Sequence, residues 1–567
     1  MKNSKKLLNI LKFLIVIFGI SIFAIYPYLN NRIFYAHDLP YHLNRILSIT
    51  ENIKNGDFLS LIHSRVLNNL GYANGLFYPQ IFMYIPAILM AITGIHVLTV
   101  YKIFLIIITF FTFLSMYYSV KNIFGKKSIA FLSGLLYTFS LYRLTDIYVR
   151  GALGELLSFI FIPIIIYGLY EIIFAENEKW WITVFGICGL AYSHLLSFVL
   201  IIPFILIICL LNIDKIFKDK KKLKNLILAA VFSILITIAF FGPMLEQKVT
   251  YRFNIDNNTV DSPEELKNRA NSLSMTLNSK VIGGYATNSS EDAGCMSEGI
   301  GIILIIFAGA FILRNGLNYK ENRFEIQLYI IGLLTLFMTT KLFPWDKLNY
   351  INIIQFPFRL NIFPTVVFSI IGSNTIYEIF GRKDEFVKLI CVMVLICNSY
   401  ILGETNINFN SVRFFTYEGL VEGIDQEIAS KEYLPEETSL EDLTDCTLYN
   451  INNKEEKIDF NQIGNKIEFK YKASEYDMQL NIPLIYYKGY SAKIEKENGE
   501  IEKLEVSKNE ENGFVLVKGN KELSGKITVK YSLTIIQIIS YIISGISFIL
   551  LILLMAYKNF KKRENNK

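Results

Sequence analysis

The sequence predicts an all-α polytopic membrane protein of about twelve transmembrane helices, with a small β-rich domain set just before the last of them. Three observations carry this. First, 52% of the 567 residues are hydrophobic and the mean hydropathy is +0.38, more apolar surface than a soluble fold of this length can keep from water. Second, apolar runs of spanning length stand at about 7–29, 100–119, 128–148, 152–174, 223–243, 298–313, 324–341, 361–380, 386–402 and 531–557. Third, residues 403–530 turn rich in Glu, Lys, Asn and Thr, and within them IEFKYKA, MQLNIPLIYY, YSAKIEKE, GFVLVKG and KITVKYSL alternate with the period of half-buried strands. Net charge is only +6, from 56 basic and 50 acidic residues, which argues against a nucleic-acid partner.

The elements follow in order from where the charge sits. Lys2, Lys5, Lys6 and Lys12 precede or enter the first apolar run, and no small-residue cleavage site follows, so an uncleaved signal anchor with a cytoplasmic N-terminus is expected. Basic clusters at 121–127, 215–224, 314–323, 381–388 and 558–567 mark the inner loops. All of them fall on one side only if 180–211 is a tight hairpin turning at His194 and 76–97, rich in Tyr and Pro, lies along or dips into the outer face. The outer side then receives 30–99, 142–152, 244–297, 342–360 and the β-rich segment. This divides the chain into a transmembrane domain at 1–402, an extracytoplasmic domain at 403–530, and a final helix with a basic tail at 531–567. The six cysteines, at 188, 209, 295, 391, 397 and 446, are scattered in no metal or disulfide spacing and read as small buried hydrophobes. No internal repeat is visible.

Chemistry concentrates on the outer turns. His37 to Pro86 holds three of the five histidines and a dense run of Tyr, Asn, Gly and Pro. Asp38, flanked by His37 and followed one turn later by His42 and Arg45, is a carboxylate at the membrane edge. It fits a proton acceptor or a ligand for a divalent cation such as Mg or Mn, and equally a helix N-cap before Pro40. In LYRLTDIYVRGALGELL, Arg143, Asp146 and Arg150 share a helical face and pair in the simplest reading, while Glu155 opens an apolar span, where a carboxylate faces a partner or a cavity. Gln355 and Arg359, in IIQFPFR, stand where the chain re-enters the membrane; the arginine fits a phosphate or an interfacial snorkelling role. His194 sits at the hairpin turn and faces either the same cavity or its own helix end.

The run HDLPYHLNRI, NGD, GYANGLFYPQIFMYIP, DIYVRGALGE and IIQFPFR resembles the bacterial multispanning proteins related to YfhO, within the GT-C superfamily of glycosyltransferases. The likeness extends to NIPLIYYKGYSAKIE in the β-rich segment. It implies transfer of a sugar, usually with inversion, from a polyprenyl-phosphate donor to an envelope glycan or lipid acceptor, at the extracytoplasmic face of a bacterial cytoplasmic membrane. In that superfamily an acidic residue of the first outer loop is the base or metal ligand, the place Asp38 occupies; Asp146 and Glu155 match the acids of the second outer turn, with Arg150 beside them. The convergence of the outer turns on one side, read beside this resemblance, assigns His37, His42, Arg45, Tyr72, Tyr78, His194, Gln355 and Arg359 to substrate, with the Tyr- and Gly-rich stretch at 71–86 cupping the sugar. His37 stands where many of these enzymes carry a second acid. Two other readings stay open on the residues alone: a transporter or flippase of lipid-linked sugars, and a non-catalytic envelope assembly protein.

Overall fold

The computed structural model describes residues 2–175, 179–257, 262–282, 296–314, 317–348, 354–408, 414–416 and 431–564. The helices that position the site are α1 (Lys2–Phe23), α2 (Leu39–Lys54), α3 (Tyr84–Thr93), α4 (Val97–Phe124), α5 (Lys127–Thr138), α6 (Leu153–Ile173), α7 (Trp181–Ala191), α8 (Leu195–Leu211), α9 (Lys220–Thr250), α10 (Ile302–Ala310), α11 (Arg323–Met338), α12 (Ile362–Ile379), α13 (Asp384–Asn408) and α14 (Ile535–Glu564). Among the described residues, seven helices are long and apolar enough to cross a membrane, and shorter apolar helices stand beside them. The chain is a multi-pass membrane protein.

Contacts between connecting loops fix which helix ends lie together. Ser128 Oγ donates to Asp384 Oδ1 at 2.6 Å, joining the starts of α5 and α13. Arg323 grips Asp214 with both terminal nitrogens, at 2.7 and 2.6 Å, joining the start of α11 to the end of α8. Lys222 Nζ reaches the Ile173 carbonyl at 2.7 Å, and Lys558 lies 5.6 Å from the Trp181 ring. The basic loops therefore gather at one end of the bundle, as the charge distribution predicts.

The stretches 180–211 and 76–97 fit the same arrangement of ends. α7 runs antiparallel along α6 with small residues at the crossings: a Cβ on Gly168 would lie 2.4 Å from Thr183 Oγ1, and one on Gly154 would meet the Ser193 carbonyl at 3.2 Å. The chain then breaks at residues 192–194 and α8 returns to the basic end, so 180–211 is a hairpin with His194 at its turn. α3 is about 15 Å long, half of a bilayer core. Ile81, Ile85, Ile88 and Ile92 stand exposed along this segment, Ile92 at 80%. A short apolar stripe that none of the described residues covers fits a helix lying in the membrane surface.

The second body is a nine-stranded antiparallel sheet whose strands lie, from edge to edge, in the order 453–457, 449–450, 478–485, 514–519, 501–508, 490–495, 525–531, 466–471 and 461–463. All five strands expected from alternation are present, as β6 (Lys466–Tyr471), β7 (Met478–Ile485), β8 (Tyr490–Glu495), β10 (Phe514–Gly519) and β11 (Gly525–Tyr531). The short β3 (Tyr449–Asn450), β4 (Asn453–Lys457) and β5 (Asn461–Ile463) and the charged β9 (Ile501–Lys508) complete it. Pro483 lies within β7, and there the register to β10 slips, Phe514 facing Ile485 and Val515 facing Ile482, which is how a strand tolerates a residue without an N–H. The boundaries differ from expectation: α13 continues to Asn408, α14 begins only at Ile535, and a separate two-stranded ladder joins β1 (Arg32–Phe34) to β2 (Phe414–Thr416). Cys295, with parts of the 244–297, 342–360 and 403–530 segments, lies outside the described residues; the remaining cysteines are free thiols.

Single cysteines in a cysteine-free background test the arrangement of ends. Glu495→Cys reacts with an impermeant maleimide in intact cells, whereas Lys121→Cys and Lys320→Cys react only after permeabilisation; labelling of the latter pair in intact cells contradicts it.

Candidate active site

The polypeptide leaving β1 is tied to the turn after α5 by two backbone bonds, His37 N to the Val149 carbonyl (3.0 Å) and Asp38 N to the Arg150 carbonyl (2.7 Å). Gly151 makes this approach feasible. Its φ is +62°, and a Cβ there would lie 2.8 Å from Leu39 Cβ and 3.0 Å from Ala36 Cβ, so the position needs both left-handed backbone and no side chain. Asp38 occupies the N-cap position of α2, with Pro40 in the first turn, but its side chain makes no capping hydrogen bond. The carboxylate instead lines a cavity of about 560 Å³.

Residues Asp146–Arg150 form a π-type turn, an irregularity that re-aims side chains. One guanidinium nitrogen of Arg150 donates to Asp146 Oδ1 at 2.5 Å and to Glu155 Oε2 at 2.6 Å. Tyr142 Oη donates to the other Glu155 oxygen, and the Phe358 ring lies 5.1 Å from the guanidinium carbon. All three charged side chains are buried, which makes the arginine indispensable to the two acids. Arg143 does not pair with Asp146 as the helical spacing suggests. It donates to the Thr138 carbonyl (3.0 Å) and to Thr109 Oγ1 (2.8 Å), because the π turn rotates Asp146 toward Arg150.

The opposite wall comes from the loop before α12. Arg359 donates to Gln355 Oε1 at 2.6 Å, and Arg269 to the Gln355 carbonyl at 3.4 Å. The two guanidinium carbons lie 5.2 and 4.9 Å from the Phe356 ring, so two arginines are spaced by one aromatic face. Gln355 holds φ +58°, a left-handed backbone that costs a non-glycine residue about 1–3 kcal/mol and clusters at functional sites.

The cavity thus joins His37, Asp38, Arg150 and Arg359 from the sequence-predicted set. It adds Arg269, Glu298 and Lys341, which sequence reasoning passed over. Glu298 has a visible signal: the apolar run from Gly299 is preceded by a single acid, and since the helix starts only at Ile302 that acid stays outside the span. Burial pushes its carboxyl up to about 7, against the pull of Arg150 and Lys341. Burial also lowers the His37 imidazole, opposed by Asp38. Asp146 and Glu155 hold Arg150 rather than face the cavity.

Four predicted residues form a layer behind α2. Arg45 donates to the Pro79 carbonyl (2.7 Å) and lies 4.5 Å from the Tyr78 ring, with His42 Nδ1 3.5 Å away. His42 is lowered well below its usual value by burial and then by Arg45. The Tyr78 and His194 rings are 6.4 Å apart, and His194 Nδ1 meets Ser197 Oγ at 2.8 Å, an end cap of α8. These residues brace α2 and the hairpin turn. Tyr72 stands elsewhere: its hydroxyl accepts from Tyr433 N at 3.0 Å, its ring stacks on Tyr433, and Leu70 O accepts from Ile485 N at 2.9 Å. The first half of the stretch read as a sugar cup, Tyr72 to Phe77, therefore packs under the β-sheet, because its apolar side chains complete that core, while Phe82, Met83 and Tyr84 pack on the helix bundle. As to a metal, no group of three or more His, Cys, Asp or Glu gathers among the described residues. Among the described lining residues Asp38 and Glu298 are the two carboxylates, with Asn268 and Ser272 as neutral oxygen donors, so a divalent cation there would draw on substrate oxygens as well.

Arg150→Gln strands two buried carboxylates. It lowers stability by about 3–5 kcal/mol, read as a fall in the melting temperature in detergent, and adding Glu155→Gln recovers part of the loss; equal melting of wild type and the single variant contradicts the shared ion pair.

Residues 5–345 match a family described as "Family of unknown function (DUF6541)". An uncharacterized protein of Lactococcus lactis subsp. cremoris (strain MG1363) aligns over 626 residues at 22% identity, covering 98% of this chain and 97% of its own. Two solved structures are similar: the arabinofuranosyltransferase AftD from Mycobacteria (TM-score 0.43, 12% identity, 70% of this chain) and the oligosaccharyltransferase of Archaeoglobus fulgidus in the apo form (TM-score 0.39, 13% identity, 71% of this chain). The chain spans only 27% and 56% of their respective lengths. The family match extends over more than half of the chain, which therefore belongs to the DUF6541 family.

Proposed function

We propose that the protein is a glycosyltransferase that moves a sugar from a polyprenyl-phosphate carrier to an envelope glycan or lipid acceptor, working on the outer face of a bacterial cytoplasmic membrane. The observation that carries this reading is the cavity itself. An uncapped carboxylate, Asp38, shares it with Arg359, Arg269 and Lys341, at the end of an apolar helix bundle away from the basic loops. A lipid-linked phosphate presents its head group at that depth, and water-poor surroundings strengthen each charge interaction.

In this reading the acceptor hydroxyl gives its proton to Asp38 as its oxygen bonds to the anomeric carbon. The bond from that carbon to the phosphate oxygen breaks on the opposite face, its electron pair leaving with the phosphate, which gives inversion. Arg359 offers the departing phosphate a planar fork, and Lys341 a point charge. Arg150, held by Asp146 and Glu155, fixes the carbonyl to which Asp38 is tied and so acts as a positioning residue. A flippase would carry its ionisable groups near the midplane between repeated halves. Here the charged groups collect at one end of the bundle, which favours transfer.

Membranes carrying Asp38→Asn transfer labelled sugar from the carrier at least about a hundredfold more slowly than wild type, the usual span for removal of a general base. Undiminished transfer removes Asp38 from the chemistry.

A further inference from the structure

Glu298 has no role in the steps above, yet it stands in the same cavity as Asp38 and the cations. Its backbone is held from several sides. The carbonyl accepts from the side-chain amides of Asn271, at 3.0 Å, and of Asn361. The next residue, Gly299, is pressed so tightly on the 275–276 turn that a Cβ would lie 2.6 Å from the Thr276 carbonyl. Among the described residues the Glu298 carboxyl makes no hydrogen bond or ion pair, so a firmly held backbone presents to the cavity an acid on which Arg150 and Lys341 act only through space. The charged and titratable groups that share the space are Arg150 from the π turn, Lys341 from the end of α11, His37 and Asp38 from the head of α2, and Arg269 and Arg359 across the Phe356 ring.

We infer that Glu298 is the proton donor to the departing lipid phosphate, an inference that rests on the transferase reading above. As the bond between the anomeric carbon and the phosphate oxygen breaks, that oxygen takes the electron pair and the Glu298 proton, while Asp38 takes the proton of the acceptor hydroxyl. The phosphate therefore leaves as a monoanion, and the two carboxyl groups have exchanged protonation states. Solvent entering the cavity after release restores both. Two acids in one site then have opposite tasks, set by their surroundings. Burial keeps the Glu298 proton in place up to about pH 7. A bound phosphate faces it from the anion side and raises its proton affinity further. Above that pH the ionised carboxylate repels the phosphate, so affinity falls as pH rises through neutrality.

The test measures undecaprenyl phosphate binding to the full chain in nanodiscs at about pH 6 and about pH 8.5, for wild type, Glu298→Gln and Arg359→Ala. The amide variant keeps the shape and the backbone contacts, and the ligand's own titration is common to all samples. Between the two pH values wild type loses about tenfold in affinity relative to Glu298→Gln, the effect of roughly one pKa unit of coupling. Parallel pH curves for wild type and Glu298→Gln, with binding that still depends on Arg359, overturn the assignment of Glu298 and leave the transferase reading standing. Binding indifferent to Arg359→Ala overturns the transferase reading, and the Glu298 assignment with it.

Discussion

The site depends on one buried charge arrangement, the Arg150 guanidinium shared between Asp146 and Glu155. An isolated carboxylate at that depth is costly, and two would repel each other. A single arginine between them turns the irregular 146–150 turn into a fixed object. Because the Val149 and Arg150 carbonyls accept from His37 and Asp38, that rigidity passes to the head of α2. The Phe358 ring over the same guanidinium passes it on to the loop that bears Arg359. Three separate connections are thereby held in register by one side chain.

The fold separates the residues that hold the scaffold from those that line the cavity. The buried acids Asp146 and Glu155 hold, and so does the layer of His42, Arg45, Tyr78 and His194 behind α2. Asp38, Glu298, Arg269, Lys341 and Arg359 are left facing open space. The β-sheet takes part through the first long loop, whose residues 61–77 are built into the sheet's core. Asn465 Nδ2 binds the Ile62 carbonyl at 2.9 Å and Gln462 Nε2 the Asn69 carbonyl at 2.7 Å, so the sheet fastens the loop that follows α2. Its position is that of a clamp on the scaffold.

Much of this was legible in the sequence, for identifiable reasons. Lysine and arginine placement ordered the helix ends, because charge cannot be left inside a bilayer, and that ordering made 180–211 the hairpin that the structure shows. Period-two alternation found the five strands whose apolar faces are buried, and missed β9, whose run IEKLEVSK is dominated by charge. Asp38, Arg150 and Arg359 were findable because each is a charged residue at the edge of an apolar run. Tyr72 was misread because composition suits a sugar and a protein core equally well. The pairing of Arg143 with Asp146 failed because spacing arguments assume a regular helix and the turn there is π-type. Arg269 and Lys341 were hidden in polar loops, where a cation is ordinary until tertiary structure faces it toward an acid.

In the proposed transferase the cavity at the head of α2 receives a lipid-linked phosphate. A cryo-electron microscopy map of the protein with undecaprenyl phosphate tests it most directly. Phosphate density within hydrogen-bonding distance of Arg359, on the side of the cavity facing Asp38, is the predicted result. Bound lipid with its phosphate at the basic end of the bundle, and none beside Arg359, would contradict it.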